Sequence, residues 1–329
     1  MTTMQLFGME VSPYAVKVRA LLRYKGIAHQ WIPRSRRYES AFRAKAKLPL
    51  IPLLVIDEEA FQDSTPILDM LEQRHPTNSI SLADASMHWL SRALEEAADE
   101  WAVKPMFHYR WQYEADRINA GLRIARASVE PGTDPAPFAG MISAHLMTRL
   151  PTLGCTDGNK PVLESYVMQG AALIDAHMQS RAYLFGGQLT YADLGLACMY
   201  YQLMSDPTPR ALLQPYVALQ DWVMRCMNPT DQGDAEPMST LLPTLLPILT
   251  HELQHHYLPW AQANTKAFAG EQADFSCTLG SPAATYTQPT QKYSVKSFAQ
   301  LQTAWKALTA EQQQTLLDIL PVLNDLNKP

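Results

Sequence analysis

Hydrophobic residues in the first part of the chain fall into alternating strand-length and helix-length runs. A short apolar run, Met4 to Phe7, precedes Ser12-Pro13, and a helix-spaced pattern then continues to Gly26. Ser is a favoured N-cap, Pro suits the first helical position, and Gly commonly ends a helix. The same reasoning predicts strand, helix, strand, strand, strand and helix, over 4–7, 13–25, 27–32, 50–56, 60–62 and 63–75.

The pattern becomes entirely helical after residue 84. Asp84 to Arg117 has apolar residues near helical spacing throughout. Thr190 and Asp193 form a capping-box pattern, and Leu189 and Leu194 supply its hydrophobic staple. Residues 84–228 therefore predict a helical domain, with further helices at 138–150, 161–180, 194–203 and 219–227.

A polar segment at 228–237 predicts a linker to a third unit. Beyond it, 241–269 and 295–323 read as helical. Between them, Phe275 to Leu279 alternates like a strand, and 285–288 can pair with it across the turn at 280–282. The prediction is an α+β extension over 241–329.

Composition excludes several classes of function. The net charge of −5 and pI near 6.0 give no basic surface for nucleic acid. No apolar run is long enough to predict a membrane span, and no signal peptide is evident at the N-terminus. The four cysteines are scattered, which predicts reduced thiols in a cytoplasmic protein. They are Cys155, Cys198, Cys226 and Cys277.

The start of the first predicted helix carries the candidate chemistry. Ser12 stands there, just after the end of the first strand. A helix N-terminus offers unpaired N–H groups and the positive end of a dipole, so it favours an anion. A thiol held at such a place has its pKa lowered from about 8.5 into the range of about 3.5–7.5. The Ser12 hydroxyl would stabilise the thiolate by donating to sulfur; the alternative is that Ser12 only caps the helix.

Three segments, in this order, resemble the glutathione transferase family. Ser12-Pro13-Tyr14 with Lys17-Val18-Arg19 is similar to serine-type members, whose first helix begins at the catalytic Ser. Ile51-Pro52-Leu53 followed by Asp63-Ser64 is similar to the cis-proline strand and the acidic-Ser pair that holds the γ-glutamyl end of glutathione. The capping box Thr190–Asp193 resembles the folding signature of the family's helical domain.

The resemblance implies a fold and a domain order. It implies an α/β thioredoxin-like N-terminal domain over 1–80 and an all-α glutathione transferase C-terminal domain over 84–228, with the extension at 241–329 outside the common pattern. It implies glutathione as co-substrate with no metal, a small-molecule electrophile as second substrate, a role in detoxification and a homodimer.

The resemblance also assigns roles to residues. Ser12 is implied as the catalytic hydrogen-bond donor, Asp63 as the partner of the α-amino group of glutathione, and Ser64 as that of its α-carboxylate. The loop at 45–50 departs from the family's Asn-Pro-x-Gly-Lys, so Lys45 and Lys47 are only candidates for the glycine carboxylate. The implied glutathione-binding residues are Tyr14, Lys47, Ile51, Pro52, Asp63 and Ser64; those implied for the second substrate are Trp101, Phe107, Arg110 and Trp111. The alternatives are that Asp63-Ser64 only caps a helix, that Pro52 is trans at a sheet edge, and that the aromatic residues belong to the core while Arg110 faces water.

Two other functions fit parts of the sequence. The atypical 45–50 loop and the long extension fit a non-catalytic binding or assembly protein that reuses the fold. His251-Glu252-Leu253-Gln254-His255 matches H-E-x-x-H, which on an α-helix places two His on one face for zinc. Glu271 would have to supply a third ligand for a catalytic site; an adventitious metal site on His251, His255 and His256 and a polar helix face are the alternatives, and the polar face is the simplest.

Overall fold

The computed structural model describes residues 4–130 and 132–327. The ends of the first and third predicted units, 1–3 and 328–329, lie outside the described residues. The strands are β1 Met4–Gly8, β2 Gln30–Pro33, β3 Leu53–Ile56, β4 Glu59–Gln62, β5 Asp274–Leu279 and β6 Ala284–Pro289. The helices are α1 Pro13–Tyr24, α2 Glu39–Lys45, α3 Ser64–Arg74, α4 Ala85–Ala97, α5 Val103–Gln112, α6 Glu114–Ser128, α7 Ala136–Met147, α8 Lys160–Met178, α9 Tyr191–Met204, α10 Pro207–Leu213, α11 Val217–Met227, α12 Met238–Leu249, α13 Leu258–Ala269, α14 Lys292–Lys306 and α15 Ala310–Ile319.

The N-terminal domain is a mixed sheet in the order β2-β1-β3-β4. β1 pairs in parallel with β2 and antiparallel with β3, and β3 and β4 form a hairpin. Side chains alternate between the two faces of a strand. Accordingly, Leu6 and Leu54 belong to the large core, whereas Phe7, Leu53 and Phe42 of α2 form a small core on the opposite face.

The long helix predicted from Asp84 to Arg117 is interrupted. A π-helical segment, Ala98–Ala102, separates α4 from α5, and Tyr113 with φ −89° and ψ 136° separates α5 from α6. An extended residue cannot continue the i to i−4 hydrogen bonds, so the chain changes direction at Tyr113. Apolar periodicity alone does not reveal such a break.

The capping box at the start of α9 is confirmed, and its carboxylate has additional partners. Asp193 accepts the N–H and hydroxyl of Thr190 at 3.0 and 2.6 Å, the N–H of Leu184 at 2.8 Å and the indole N–H of Trp222 at 2.9 Å. Burial raises the pKa of Asp193 to about 6, although these hydrogen bonds oppose the shift. Asp193 therefore organises the core of the helical domain as well as one helix end.

The extension packs on the helical domain. The predicted hairpin is confirmed, with Phe275 opposite Gln288 in the β5–β6 register. Trp305 of α14 is fully buried and makes an edge contact with Trp89 of α4, at 5.1 Å between ring centroids. The extension is thus part of the same hydrophobic core. Within the described residues, no helix combines the length and hydrophobicity that crossing a membrane requires.

Candidate functional site

One edge of the sheet brings the predicted site segments together. The register pairs Phe7 with Leu53 and Leu53 with Gln62. The end of β1, the start of β3 and the end of β4 are therefore neighbours, and α1 and α3 both begin at this edge. Two helix N-termini side by side give two places where negative charge is stabilised.

Ser12 is the N-cap of α1. Its side-chain oxygen accepts the N–H of Ala15 at 3.3 Å, and its backbone is extended, with φ −99° and ψ 113°. A hydroxyl that accepts through a lone pair keeps its own hydrogen free to donate. Ser12 is half-buried, so a ligand atom can reach this hydrogen.

The loop that carries Ser12 is anchored to the helical domain. Arg110 donates to the carbonyl oxygen of Val11 at 2.8 Å, and Gln202 donates to that of Glu10 at 2.8 Å. The N–H of Ser12 donates to the Met9 carbonyl at 3.0 Å, which closes a turn. These hydrogen bonds fix the position of the N-terminus of α1.

The Ile51–Pro52 peptide is cis, as the resemblance implies. The loop before it is held by Gln62, whose amide oxygen accepts the N–H groups of Lys47 and Leu48 at 2.8 and 2.9 Å. The amide nitrogen of Gln62 donates to the carbonyls of Leu48 and Leu50 at 2.8 and 2.9 Å. The β3–β4 ladder begins only at Leu53, so the backbone of Ile51 lies beyond it.

The two lysine candidates differ. Lys47 is exposed, and its contact is made by its backbone N–H to Gln62. Lys45 forms an ion pair with Glu58 on the hairpin turn. Of the two, Lys47 is therefore the side chain available to a carboxylate.

Asp63 and Ser64 stand at the start of α3. Asp63 is the N-cap, is exposed and has a φ of +77°, whereas Ser64 is buried. The Oδ2 atom of Asp63 accepts the hydroxyl of Tyr293 at 2.6 Å. Asp63, whose carboxylate the resemblance pairs with the ammonium group of glutathione, thus already contacts Tyr293 of the extension.

Tyr14 and Lys17 connect α1 to the helical domain. Tyr14 donates its hydroxyl to the carbonyl of Asp99 at 2.9 Å, so in this structure it faces that domain. Lys17 is fully buried and pairs with Glu95 and, at 2.7 Å, with Asp99. Burial opposes the charged form of Lys17, but Asp99 and Glu95 together raise its pKa above the usual value.

The prediction that Trp101, Arg110 and Trp111 contact a second substrate is wrong. Trp101 and Trp111 are buried in the core, and Trp101 packs on Trp260 and Tyr286 of the extension. Arg110 is buried because it pairs with Asp206 at 2.7 Å and holds the β1–α1 loop. Phe107, the fourth predicted residue, is half-buried and packs on Trp111.

A cleft of about 410 Å³ lies beside the Ser12 loop. Residues 9–11 form one wall, Trp31 and Pro33 of β2 another, and Arg123 and Arg126 of α6 line the remainder. Arg123 pairs with Asp206, whereas Arg126 is exposed and forms no ion pair or hydrogen bond with the described residues. The cleft therefore has an aromatic wall, over which the Arg19 guanidinium lies at 4.3 Å from the Trp31 ring centroid, and the free positive charge of Arg126.

The H-E-x-x-H segment does not have the geometry that the zinc alternative requires. It lies in a π-helical stretch, Thr250–Tyr257, whose backbone hydrogen bonds join residues five apart. His251 contacts His256, at 4.7 Å between ring centroids, and both are buried. Glu271, the proposed third ligand, is exposed at the end of α13. In residues 4–130 and 132–327, no three His, Cys, Asp or Glu side chains are arranged to hold a metal ion.

Glu252 is instead a buried neutral acid in the core. Tyr166 donates to its Oε2 at 2.6 Å, and burial raises its pKa to about 8. The folded protein therefore keeps this proton at a pH where the unfolded chain has released it, so stability falls as pH rises from about 4.5 to about 8.

The substitution Glu252→Gln is expected to remove this part of the pH dependence. The glutamine side chain cannot ionise and has nearly the shape of the protonated acid. The variant should gain about 3 kcal/mol of stability relative to wild type between about pH 5 and about pH 8. Urea denaturation at the two pH values measures this difference, and a constant difference would contradict the neutral state of Glu252.

Two features of the site are not evident from the sequence. Tyr293 lies 230 residues from Asp63 in the chain, and no local pattern connects them. The acidic run of Glu95, Glu96, Asp99 and Glu100 does not reveal the buried pair with Lys17, because acidic residues on a helix are usually exposed to solvent.

Comparison with known proteins identifies two domains. Residues 6–79 match the family model described as glutathione S-transferase, N-terminal domain, and 156–225 match the glutathione S-transferase, C-terminal domain. Elongation factor 1-gamma-B of Xenopus laevis is 31% identical over 81 residues, which are 24% of this chain and 18% of that protein. Elongation factor 1-gamma of Danio rerio is 30% identical over 81 residues, again 24% and 18%. The chain thus spans about a fifth of the length of these curated relatives.

The chain is also similar to several solved structures. A glutathione S-transferase from Rhodospirillum rubrum F11 is 20% identical, with a TM-score of 0.43, over 75% of this chain and 92% of that one. A maleylacetoacetate isomerase from Anaeromyxobacter dehalogenans 2CP-1, with bound dicarboxyethyl glutathione and citrate, is 21% identical. Its TM-score is 0.40, over 73% of this chain and 96% of that one.

Proposed function

Because the chain belongs to the glutathione S-transferase family, we propose that it binds glutathione at this sheet edge and activates the thiol. The observation that carries the proposal is the half-buried Ser12, whose hydroxyl caps α1 and keeps a hydrogen to donate. The γ-glutamyl end of the ligand would lie at the start of α3, with its ammonium at Asp63 and its carboxylate at Ser64. The cysteinyl amide would meet the backbone of Ile51 beside the cis Pro52.

The proposed reaction is attack of the thiolate on a small electrophile. The thiol proton passes to solvent, and the Ser12 hydroxyl donates to the sulfur anion. With a chloroarene, a carbon–sulfur bond forms at the ring carbon, the carbon–chlorine bond breaks, and chloride leaves with the bonding electrons. Ser12 forms no covalent bond in this scheme.

The cleft beside Ser12 is the place proposed for the electrophile. Its wall at Trp31 suits an aromatic ring, and the unpaired Arg126 favours a substrate that carries a carboxylate. This location replaces the buried wall around Trp101 and Trp111. Cytoplasmic location, a homodimer and detoxification belong to the same proposal.

Two experiments test the proposal. Calorimetry measures the binding of glutathione, and an activity assay measures the turnover of two chloroarenes. Chlorodinitrobenzene is neutral and chloronitrobenzoate is anionic. We expect saturable glutathione binding and release of chloride from both, with the anionic substrate preferred. Absence of binding at millimolar glutathione would contradict the proposed function.

The second candidate function is a non-catalytic binding or assembly protein. It is favoured by the partial match to elongation factor 1-gamma and by an extension that lies outside both matched domains. This function predicts a stable dimer or complex in size-exclusion chromatography without retention on immobilised glutathione. Retention with turnover favours the enzyme.

A further inference from the structure

The start of α14 places three hydroxyl groups on three carboxylates of the neighbouring helices. All three bonds are short and link the extension to the region where α3 and α4 meet. They run from Tyr293 to Asp63 at 2.6 Å, from Ser294 to Glu100 at 2.5 Å and from Ser297 to Glu96 at 2.6 Å.

The hydrophobic core fixes α14 at this place. Phe298, Leu301 and Trp305 are all buried, and Trp305 contacts Trp89 of α4. Tyr293, at the first turn, is 60% exposed. The buried residues that follow in α14 hold the backbone of Tyr293 in place, whereas its side chain lies at an open surface that a ligand can reach.

A cavity of about 820 Å³ lies between α3, α4 and α14 and includes Asp63 and Tyr293 in its lining. Glu96 and Asp99 are also in the lining. Burial, with a smaller contribution from neighbouring negative charge, raises the pKa of Glu96 to about 8 and the pKa of Asp99 to about 7. Lys17 opposes the shift of Asp99. The lining also contains Arg92 and Lys296, so a preference for a cation rests on the exposed Asp63 carboxylate and not on the charge of the whole cavity.

We propose that Tyr293 is a positioning residue through which the extension makes the site selective for a ligand with a free ammonium group. Its hydroxyl holds the Oδ2 atom of Asp63 and leaves Oδ1, which has no hydrogen bond with the described residues, to receive the ammonium. A carboxylate has lone pairs for both partners. The inference rests on the proposed function, since it assumes that the γ-glutamyl ammonium of glutathione binds at Asp63.

A comparison of two ligands tests this role. Glutathione and its analogue without the α-amino group, glutaryl-cysteinyl-glycine, are titrated by calorimetry into the full-length wild type, Tyr293→Phe and Tyr113→Phe. Tyr113 is the matched control, because its hydroxyl also donates to a carboxylate, that of Glu164, away from the site. Thermal unfolding of each variant verifies the fold.

Tyr293→Phe is expected to weaken glutathione binding about tenfold, the effect of one hydrogen bond to a charged group. Binding of the analogue should not change in Tyr293→Phe, and Tyr113→Phe should change neither ligand. Equal affinity of wild type and Tyr293→Phe for glutathione, or an equal loss for both ligands, would overturn the inference while leaving the proposed function intact. A wild type that binds neither ligand would overturn both.

Discussion

Replacement of Ser12 by alanine is expected to lower kcat/KM for glutathione-dependent turnover by about 100-fold to 1,000-fold. The reason is that one preorganised donor to a developing or bound anion typically contributes this much. The Ser12 oxygen also caps α1 through Ala15, so the variant should lose about 1 kcal/mol of stability as well. Steady-state kinetics, together with thermal unfolding, separates the two effects.

The control for this prediction is Ser12→Thr. Threonine keeps both the hydroxyl donor and the capping oxygen, so it should retain most of the activity. If the alanine and threonine variants were equally active, the hydroxyl would have no role at sulfur and Ser12 would be only a helix cap.

Replacement of Lys17 by methionine is expected to destabilise the fold by about 3–5 kcal/mol. Lys17 is the buried cation between Glu95 and Asp99, and removing one partner of a buried pair leaves uncompensated charge. Without Lys17, the pKa of Asp99 rises further above its unfolded value, and the pKa of Glu95, which Lys17 helps to lower in the wild type, rises as well. Stability of the variant should therefore fall as pH rises, and its deficit should be larger at about pH 8 than at about pH 5.

An exposed ion pair provides the comparison. Arg43, whose side chain is 77% exposed, pairs with Glu39 one helical turn away. Arg43→Met should cost about 0.5 kcal/mol or less because solvent screens this pair. Chemical denaturation measures both variants, and a Lys17→Met protein within about 1 kcal/mol of wild type would show that the buried network adds little.

The features that the sequence revealed depend on local chemistry. Ser12-Pro13 starts a helix because each residue suits its position there, and Thr190 with Asp193 caps another for the same reason. The hairpin at Phe275 follows from alternation around a turn. The sheet order β2-β1-β3-β4 could not be read from the sequence, because periodicity does not specify which strands pair.

The errors arose where burial is decided by distant parts of the chain. Trp101 was predicted at a substrate surface, but Trp260 and Tyr286 of the extension cover it. Arginine is usually exposed, yet Arg110 is buried, where its positive charge pairs with Asp206. The contact between Tyr293 and Asp63 joins residues 230 positions apart. Each of these depends on tertiary packing, which a single sequence does not show.

The central claim is that a sulfur anion is stabilised where Ser12 begins α1. The most direct measurement is the pKa of the thiol of bound glutathione. The ultraviolet absorbance of the thiolate, recorded across pH, gives this pKa in the wild type and in Ser12→Ala. The account predicts a pKa between about 3.5 and 7.5 in the wild type and a return toward about 8.5 in the variant. A bound thiol that titrates near its free value in the wild type would contradict it.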